Sequence, residues 1–351
     1  MKKFIHIGGD SRSGGSLLAR LFDGHPNILS YPFENEFFNN RNTDLIDFSE
    51  YRQSRKFEDI EKQEVVNKIK KFAEEKLKSK QRYGRDQNHF DYESFYSNVE
   101  QAISTDKDDS EIFESIHQHF FKALLDTDYS NFNAVCNHCS RTFAGNLDQF
   151  FKTFTNGYFI HTIREPKAVC ASLKNYSFFA TGNDPESIPV EFNQLAIDRW
   201  LIAAYMAVKN RMKYGNRYVI VIYENLVQNA DYECKKICAQ IDIPFHEEML
   251  IPKFGKEVWG GNSSFGKMPA KVSSKNLEKY KEVLEEEEQK QIDEVLQSIY
   301  HSFSKGLDDS NIMEEIIRDI HTRISADELE DDNLRNHYNL LYSRMRKMQL
   351  N

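Results

Sequence analysis

Apolar and polar positions follow two spacings at the start of the chain. Phe4-Ile5-His6-Ile7 is a short apolar run ending at a glycine-rich turn, and Leu17, Leu18, Leu21 and Phe22 then recur at helical spacing. The pattern predicts a strand to Ile7, a loop, and a helix from about Gly14 with those four residues buried. A second short strand is expected at Ile28 to Tyr31. A long polar stretch from Glu34 to Ser130 then carries helical patterning in pieces, such as Val65 to Lys78 and Glu111 to Leu125. Strand patterns return at Asn133 to Cys136, Gly157 to Ile163 and Tyr218 to Tyr223, with helices expected at Pro166 to Lys174 and Asn193 to Tyr214. This alternation builds a parallel sheet covered by helices. Thr181 to Pro189 and Trp259 to Pro269 read as loops, and from Asn276 onward the chain is charged and helical, with no suggestion of chemistry.

A length of 351 residues, 40% of them hydrophobic and 13% aromatic, fits one large α/β domain with insertions. We expect a domain over 1–305, with a helical insertion at about 34–130, and a helical extension over 306–351. Lys plus Arg number 46 against 55 Asp plus Glu, a net charge of −9, so the molecule as a whole has no pull on nucleic acid and any phosphate site must be local. The apolar run after Lys2 and Lys3 is too short for a signal peptide. The best apolar run, Trp200 to Val208, falls well short of the ~18 residues of a membrane span. A cytoplasmic location is the expectation, and five cysteines, an odd and sparse count, read as free thiols.

The chemistry begins in Gly9-Asp10-Ser11-Arg12-Ser13-Gly14-Gly15-Ser16. Two glycines five apart, after a strand and before a helix, allow backbone N–H groups and a helix N-terminus to cradle a phosphate. Gly15 stands where a nucleoside-triphosphatase loop has its Lys, which disfavours an ATPase. Arg12 supplies a fixed-charge donor fork and Ser16 a hydroxyl at the helix start. By itself the loop also reads as a glycine-rich turn with an exposed Arg.

RSGGSLLARLFDGHP resembles the 5′-phosphosulfate loop of sulfotransferases that use 3′-phosphoadenosine 5′-phosphosulfate (PAPS), with Gly15 and Ser16 in place of the usual Thr-Thr. The resemblance implies a P-loop-like three-layer α/β/α fold and a second motif, Arg-Asp-Pro with a Ser eight residues after the Arg, for the 3′-phosphate. FIHTIREPKAVCASL supplies Arg164-Glu165-Pro166 and Ser172 at that spacing. RYVIVIYENLV is similar to the family's strand whose terminal Tyr lies against the nucleotide, here Tyr223, and WGGNSSFGKMP to its late nucleotide loop, offering Ser263, Ser264 and Lys267. The donor set so implied is Arg12, Ser13, Gly14, Gly15, Ser16, Leu17, Arg164, Ser172, Tyr223, Ser264 and Lys267.

Sulfuryl transfer to a hydroxyl needs charge stabilisation on the leaving phosphate and a base for the acceptor proton. Arg12 suits the first task. In relatives a Glu follows the His-Pro pair; Glu34 fits that position and Glu36 is the second choice. Relatives also carry a Lys where this chain has His138, which donates one hydrogen bond when neutral and replaces the charge when protonated. Cys136-x-x-Cys139 lacks the second pair a closed zinc site needs, so no metal is expected, and Cys234 with Cys238 reads as one helix face. The implied acceptor is a small molecule, glycan or peptide, with O- and N-sulfation both open. Two rivals remain: a nucleotide-dependent small-molecule kinase, and a non-catalytic nucleotide-binding relative.

Overall fold

A computed structural model describes residues 2–34, 67, 71, 90–104, 108–125, 131–140, 147–181, 191–261, 271–306, 308–321, 336–338, 340–341 and 343–345. The strands β1 (Lys3–Gly9), β2 (Ile28–Glu34), β3 (Ala134–His138), β4 (Gly157–Ile163) and β5 (Tyr218–Ile222) form a sheet in the order β2-β3-β1-β4-β5. Residues 3–7 pair in parallel with 134–138, Ile28–Ser30 with 134–136, and Phe159–Ile163 with Tyr218–Ile222. With helices flanking a parallel sheet, the α/β expectation holds.

The chain forms two compact units. The first comprises 1–7, 16–158 and 243–259. It holds β2, β3 and the helices α1 (Gly15–Gly24, from Ser16 on), α2 (Tyr92–Ser104), α3 (Asp109–Leu125) and α4 (Leu147–Thr153). Its core is aromatic: Phe4 stacks on Phe154 at 4.3 Å between ring centroids, and Phe120 meets Tyr31 and Phe95 in edge-to-face pairs. Rings meeting edge-on or offset add to their area burial. The turn from α1 into β2 is braced from one side. Lys256 Nζ donates to the carbonyls of Asp23, His25 and Ile28 at 2.7–3.0 Å, and His25 Nδ1 accepts from the Asn27 N–H, leaving Nε2 to donate to the Pro244 carbonyl. His25 of the His-Pro pair is thus a turn brace.

The second unit comprises 8–15, 159–242 and 260–351. It contains β4, β5, α5 (Pro166–Thr181), α6 (Glu191–Tyr214), α7 (Tyr223–Gln228), α8 (Ala230–Gln240), α9 (Glu286–Ser304) and α10 (Asp309–His321). The apolar run of α6 is buried almost all round, against α5, α9, α10 and β5, which makes it the central helix of this unit. α9 opens with a capping box, the Glu285 and Glu288 side chains each accepting from the other's backbone N–H, which gives part of the glutamate run a structural role.

Several local expectations change: β2 runs on past Tyr31 to Glu34, and α5 past Lys174 to Thr181. Leu17 is half-buried, so the buried face of α1 is Leu18, Leu21 and Phe22. β3 runs on to His138, placing that residue in the strand. Tyr223 opens α7 where the strand was expected to end on it. Of Val65 to Lys78 only Asn67 and Lys71, both helical, are described. The five cysteines are buried and unbridged.

Candidate active site

The loop after β1 is built on backbone that only special residues tolerate. Gly9 and Gly14 have φ of 126° and 99°, and Arg12, despite its side chain, has φ of 72°. A Cβ on Gly9 would sit 2.7 Å from Thr162 Oγ1, and one on Gly14 would overlap the Tyr223 ring. Both glycines are therefore fixed by conformation and by close approach. The Ser13 hydroxyl is occupied inside the loop, bonding the Asp10 carbonyl and, at 2.9 Å, Thr162 Oγ1. Gly15 starts α1, so the first-turn N–H groups of Gly15, Ser16 and Leu17 have no intrahelical acceptor and, with the helix dipole, favour an anion.

Arg12 is held in its left-handed conformation by groups far along the chain. Its Nε donates to Ser172 Oγ at 2.9 Å, its guanidinium lies 5.5 Å from the Tyr176 ring centre, and its carbonyl accepts from Arg164 Nη1 at 3.0 Å. Backbone strain of this kind persists where surrounding contacts over-determine it. The two motifs singled out in the sequence therefore meet: Arg164 touches the loop backbone, and Ser172 touches the loop side chain.

Arg164 follows the last residue of β4 and is 7% exposed. The Trp200 indole donates to its carbonyl at 3.0 Å, and its guanidinium lies 4.5 Å from the centre of the Tyr223 ring. Its Nε is buried with no hydrogen-bond partner among the described residues. An unused charged donor beside an aromatic face fits a bound anion next to a flat ring. Glu165 then caps α5, accepting the Ala168 N–H at 2.8 Å, with Pro166 in the first turn. Burial pushes the Glu165 carboxyl up to about 7, and raises that of Glu224, which accepts from the Glu165 N–H and from Tyr300 Oη at 2.7 Å.

The β2–β3 side differs. Glu34 is exposed at the end of β2, and its register partner across an irregularity in the pairing is His138. His138 is 3% exposed; burial, and then the charge of Arg20, push its imidazole down to about 3. Of the two forms the sequence left open, this environment holds the neutral one. Arg20 itself donates to the Pro32 carbonyl at 2.6 Å. Glu36, Ser263, Ser264 and Lys267 lie outside the described residues.

Sequence reasoning missed a supporting layer around the loop and the Arg164 motif. Asp10 Oδ1 accepts from Arg199 Nη2 and from Tyr338 Oη, each at 2.7 Å, while Asp293 pairs with Lys167, and Glu288 with Lys174 and Asn193. These partners include residues of α9 and of 336–345, where the charge pattern reads only as a solvated helix surface. The sequence offers only Asp10 in the glycine loop and Arg199 beside the apolar run Trp200 to Val208, charges that need compensation if buried, and nothing in it pairs the two. Among the described residues no three His, Cys, Asp or Glu side chains converge to hold a metal, and no described helix is long and apolar enough to cross a membrane.

Among solved structures the chain resembles the sulfotransferase domain from the Synechococcus PCC 7002 olefin synthase, at 17% identity over 84% of this chain and 94% of that one, with a TM-score of 0.50. It also matches the sulfotransferase domain from the curacin biosynthetic pathway, at 14% identity over 85% and 98% of the two chains, with a TM-score of 0.46. No curated protein sequence matches significantly. The model of the sulfotransferase family matches residues 5–247, from β1 through the loop, the Arg164 motif and Tyr223. By that match the chain belongs to the sulfotransferase family.

Proposed function

We propose that the protein transfers a sulfuryl group from 3′-phosphoadenosine 5′-phosphosulfate to a hydroxyl or amine on a small-molecule, glycan or peptide acceptor. The observation that carries this reading is the junction of two motifs distant in sequence, Arg164 Nη1 on the Arg12 carbonyl and Arg12 Nε on Ser172 Oγ. Two arginines and a helix N-terminus gathered at one loop suit a donor with phosphate at both ends of its nucleoside. The donor, when bound, supplies an activated sulfuryl group and a bisphosphate leaving group.

The chain's own residues take the following roles. Gly14, Gly15, Ser16 and Leu17 hold the 5′ end through the first turn of α1. The unused Nε of Arg164, together with Ser172, takes the 3′-phosphate, and Tyr223 lies along the nucleotide. Arg12 offsets charge that develops on the leaving phosphate. Glu34 takes the acceptor proton, and His138 contributes one neutral hydrogen bond. Ser264 and Lys267 are additional donor contacts in the late loop. This reading assigns no role to a metal.

Thermal denaturation with nucleotides tests the donor assignment. Adenosine 3′,5′-bisphosphate at about 100 times its Kd should stabilise the fold by ~2.7 kcal/mol, and ATP by much less. Equal shifts with both nucleotides, or a shift that requires Mg²⁺, would favour a kinase instead. Tight bisphosphate binding with no turnover across a panel of acceptors and radiolabelled donor would favour a non-catalytic binding protein.

A further inference from the structure

Asp10 puts a carboxylate into a loop suited to anions. It is 4% exposed, where an uncompensated negative charge would both cost desolvation and repel a phosphate. Three donors converge on a single oxygen of it. Oδ1 accepts from the Ser11 N–H, from Arg199 Nη2 and from Tyr338 Oη, each at 2.7 Å, and Oδ2 has no partner among the described residues. Among the described residues, the orientation of the side chain thus hangs on Oδ1. Through the Asp10 backbone the same residue sets the next turn, because its carbonyl accepts the Ser13 N–H at 3.1 Å and the Ser13 hydroxyl.

Two of the three donors come from side chains remote from the loop. Arg199, 1% exposed, lies in α6 and neutralises the charge; Tyr338, fully buried, comes from 336–338. The same C-terminal stretch also presents Met345, whose Sδ is 3.6 Å from Arg199 Nη1, and the Tyr338 ring lies 5.8 Å from the Arg199 guanidinium. The loop, Arg199 and Tyr338 all belong to the second unit.

We propose that Arg199 and Tyr338 are positioning residues that hold Asp10, and through it the Ser11 to Ser13 turn, in the donor-binding form. The C-terminal stretch beyond the family-matched 5–247 is then part of the donor-binding machinery. This inference rests on the donor reading above.

The test is Tyr338→Phe, which removes one hydroxyl and keeps the ring, compared with Leu340→Ala at an exposed position of the same stretch. Adenosine 3′,5′-bisphosphate affinity is read by calorimetry, loop order by amide hydrogen exchange at Ser11 and Ser13, and turnover with labelled donor as a split between KM and kcat. Losing a hydrogen bond to a charged group predicts about tenfold weaker bisphosphate binding. Faster exchange at Ser11 and Ser13 and a donor KM that rises more than kcat falls should accompany it, with Leu340→Ala unchanged. A Tyr338→Phe protein that binds as the parent does, with or without a lower melting temperature, overturns the positioning role. A parent that binds no bisphosphate overturns the donor reading itself, and the positioning role with it.

Discussion

Around the glycine-rich loop after β1, charged side chains find partners across long sequence distances: Arg12 bonds Ser172, Arg164 bonds the Arg12 carbonyl, and Arg199 bonds Asp10. Along β2 and β3 the candidate side chains are arranged differently. His138 is buried and neutral, and its register partner Glu34 is exposed to solvent at a strand end. On the proposed function, the contrast separates two jobs. A site that holds a polyanion needs fixed, pre-paired cations, so that little reorganisation accompanies binding. A site that moves a proton needs a group free to change its protonation state.

The largest effect should come from the exposed carboxylate. Glu34→Gln keeps shape and removes the base, so turnover should fall by ~10²–10⁴-fold while bisphosphate affinity stays at the parental level. Glu36→Gln should do much less. Near-parental turnover in Glu34→Gln would break the division of labour and move the proton to Glu36, or to an acceptor that arrives deprotonated. Next in size, Arg164→Ala should weaken bisphosphate binding by roughly 10- to 100-fold, the loss of a hydrogen bond to a charged group. Arg12→Ala should lower kcat more than it weakens bisphosphate binding, because its proposed role lies in the transition state. Parental behaviour in both variants would dissolve the two-motif assignment.

How far the sequence could be read follows the same division. The strand, glycine loop and helix at the N-terminus, and Arg164-Glu165-Pro166 after β4, are encoded in contiguous residues, so their type and order are legible from spacing. Strand ends were less legible. β3 runs two residues further, to His138, and β5 stops before Tyr223, because where a strand ends depends on its neighbours and not on its own apolar run. The Asp10, Arg199 and Tyr338 set was not legible at all. It joins residues up to 328 apart, and local pattern carries no information about which buried charges will meet. Tyr300 on Glu224 and Asp293 on Lys167 escaped for the same reason, hidden in a helix that reads as charged and solvated.

A smaller effect tests the backbone of the loop. Gly14→Ala must place a Cβ where φ is 99° and where the Tyr223 ring already lies, so it should cost about 1–3 kcal/mol of stability or displace the ring. Displacing the ring should weaken bisphosphate binding, while kcat at saturating donor should survive. Chemical denaturation and calorimetry on the same protein measure both terms. Unchanged stability and unchanged affinity would mean that the loop does not need glycine there.

The smallest effect distinguishes the two regions by the sign of their pH response. Glu165, beside Lys167, Glu224 and Asp293, titrates near 7 in the folded chain against an ordinary 4.5, chiefly because burial penalises its charged form. Between those values the folded state binds more protons than the unfolded one, so this carboxyl's contribution to stability is greatest below about pH 4.5 and is lost as pH rises through about 7. His138, near His6 and Arg20, is depressed from 6.5 to about 3 by burial and then by Arg20, so here the unfolded state binds more protons and stability is gained as pH rises across that window. Glu165→Gln should therefore gain melting temperature relative to the parent as pH goes from 5 to 7 and hold that gain at 8. His138→Gln should gain relative to the parent as pH falls from 6.5 toward 4. Opposite slopes of a few degrees in calorimetric scans are the expected outcome. Slopes of the same sign would mean that the loop side and the β2–β3 side do not differ in how they carry charge.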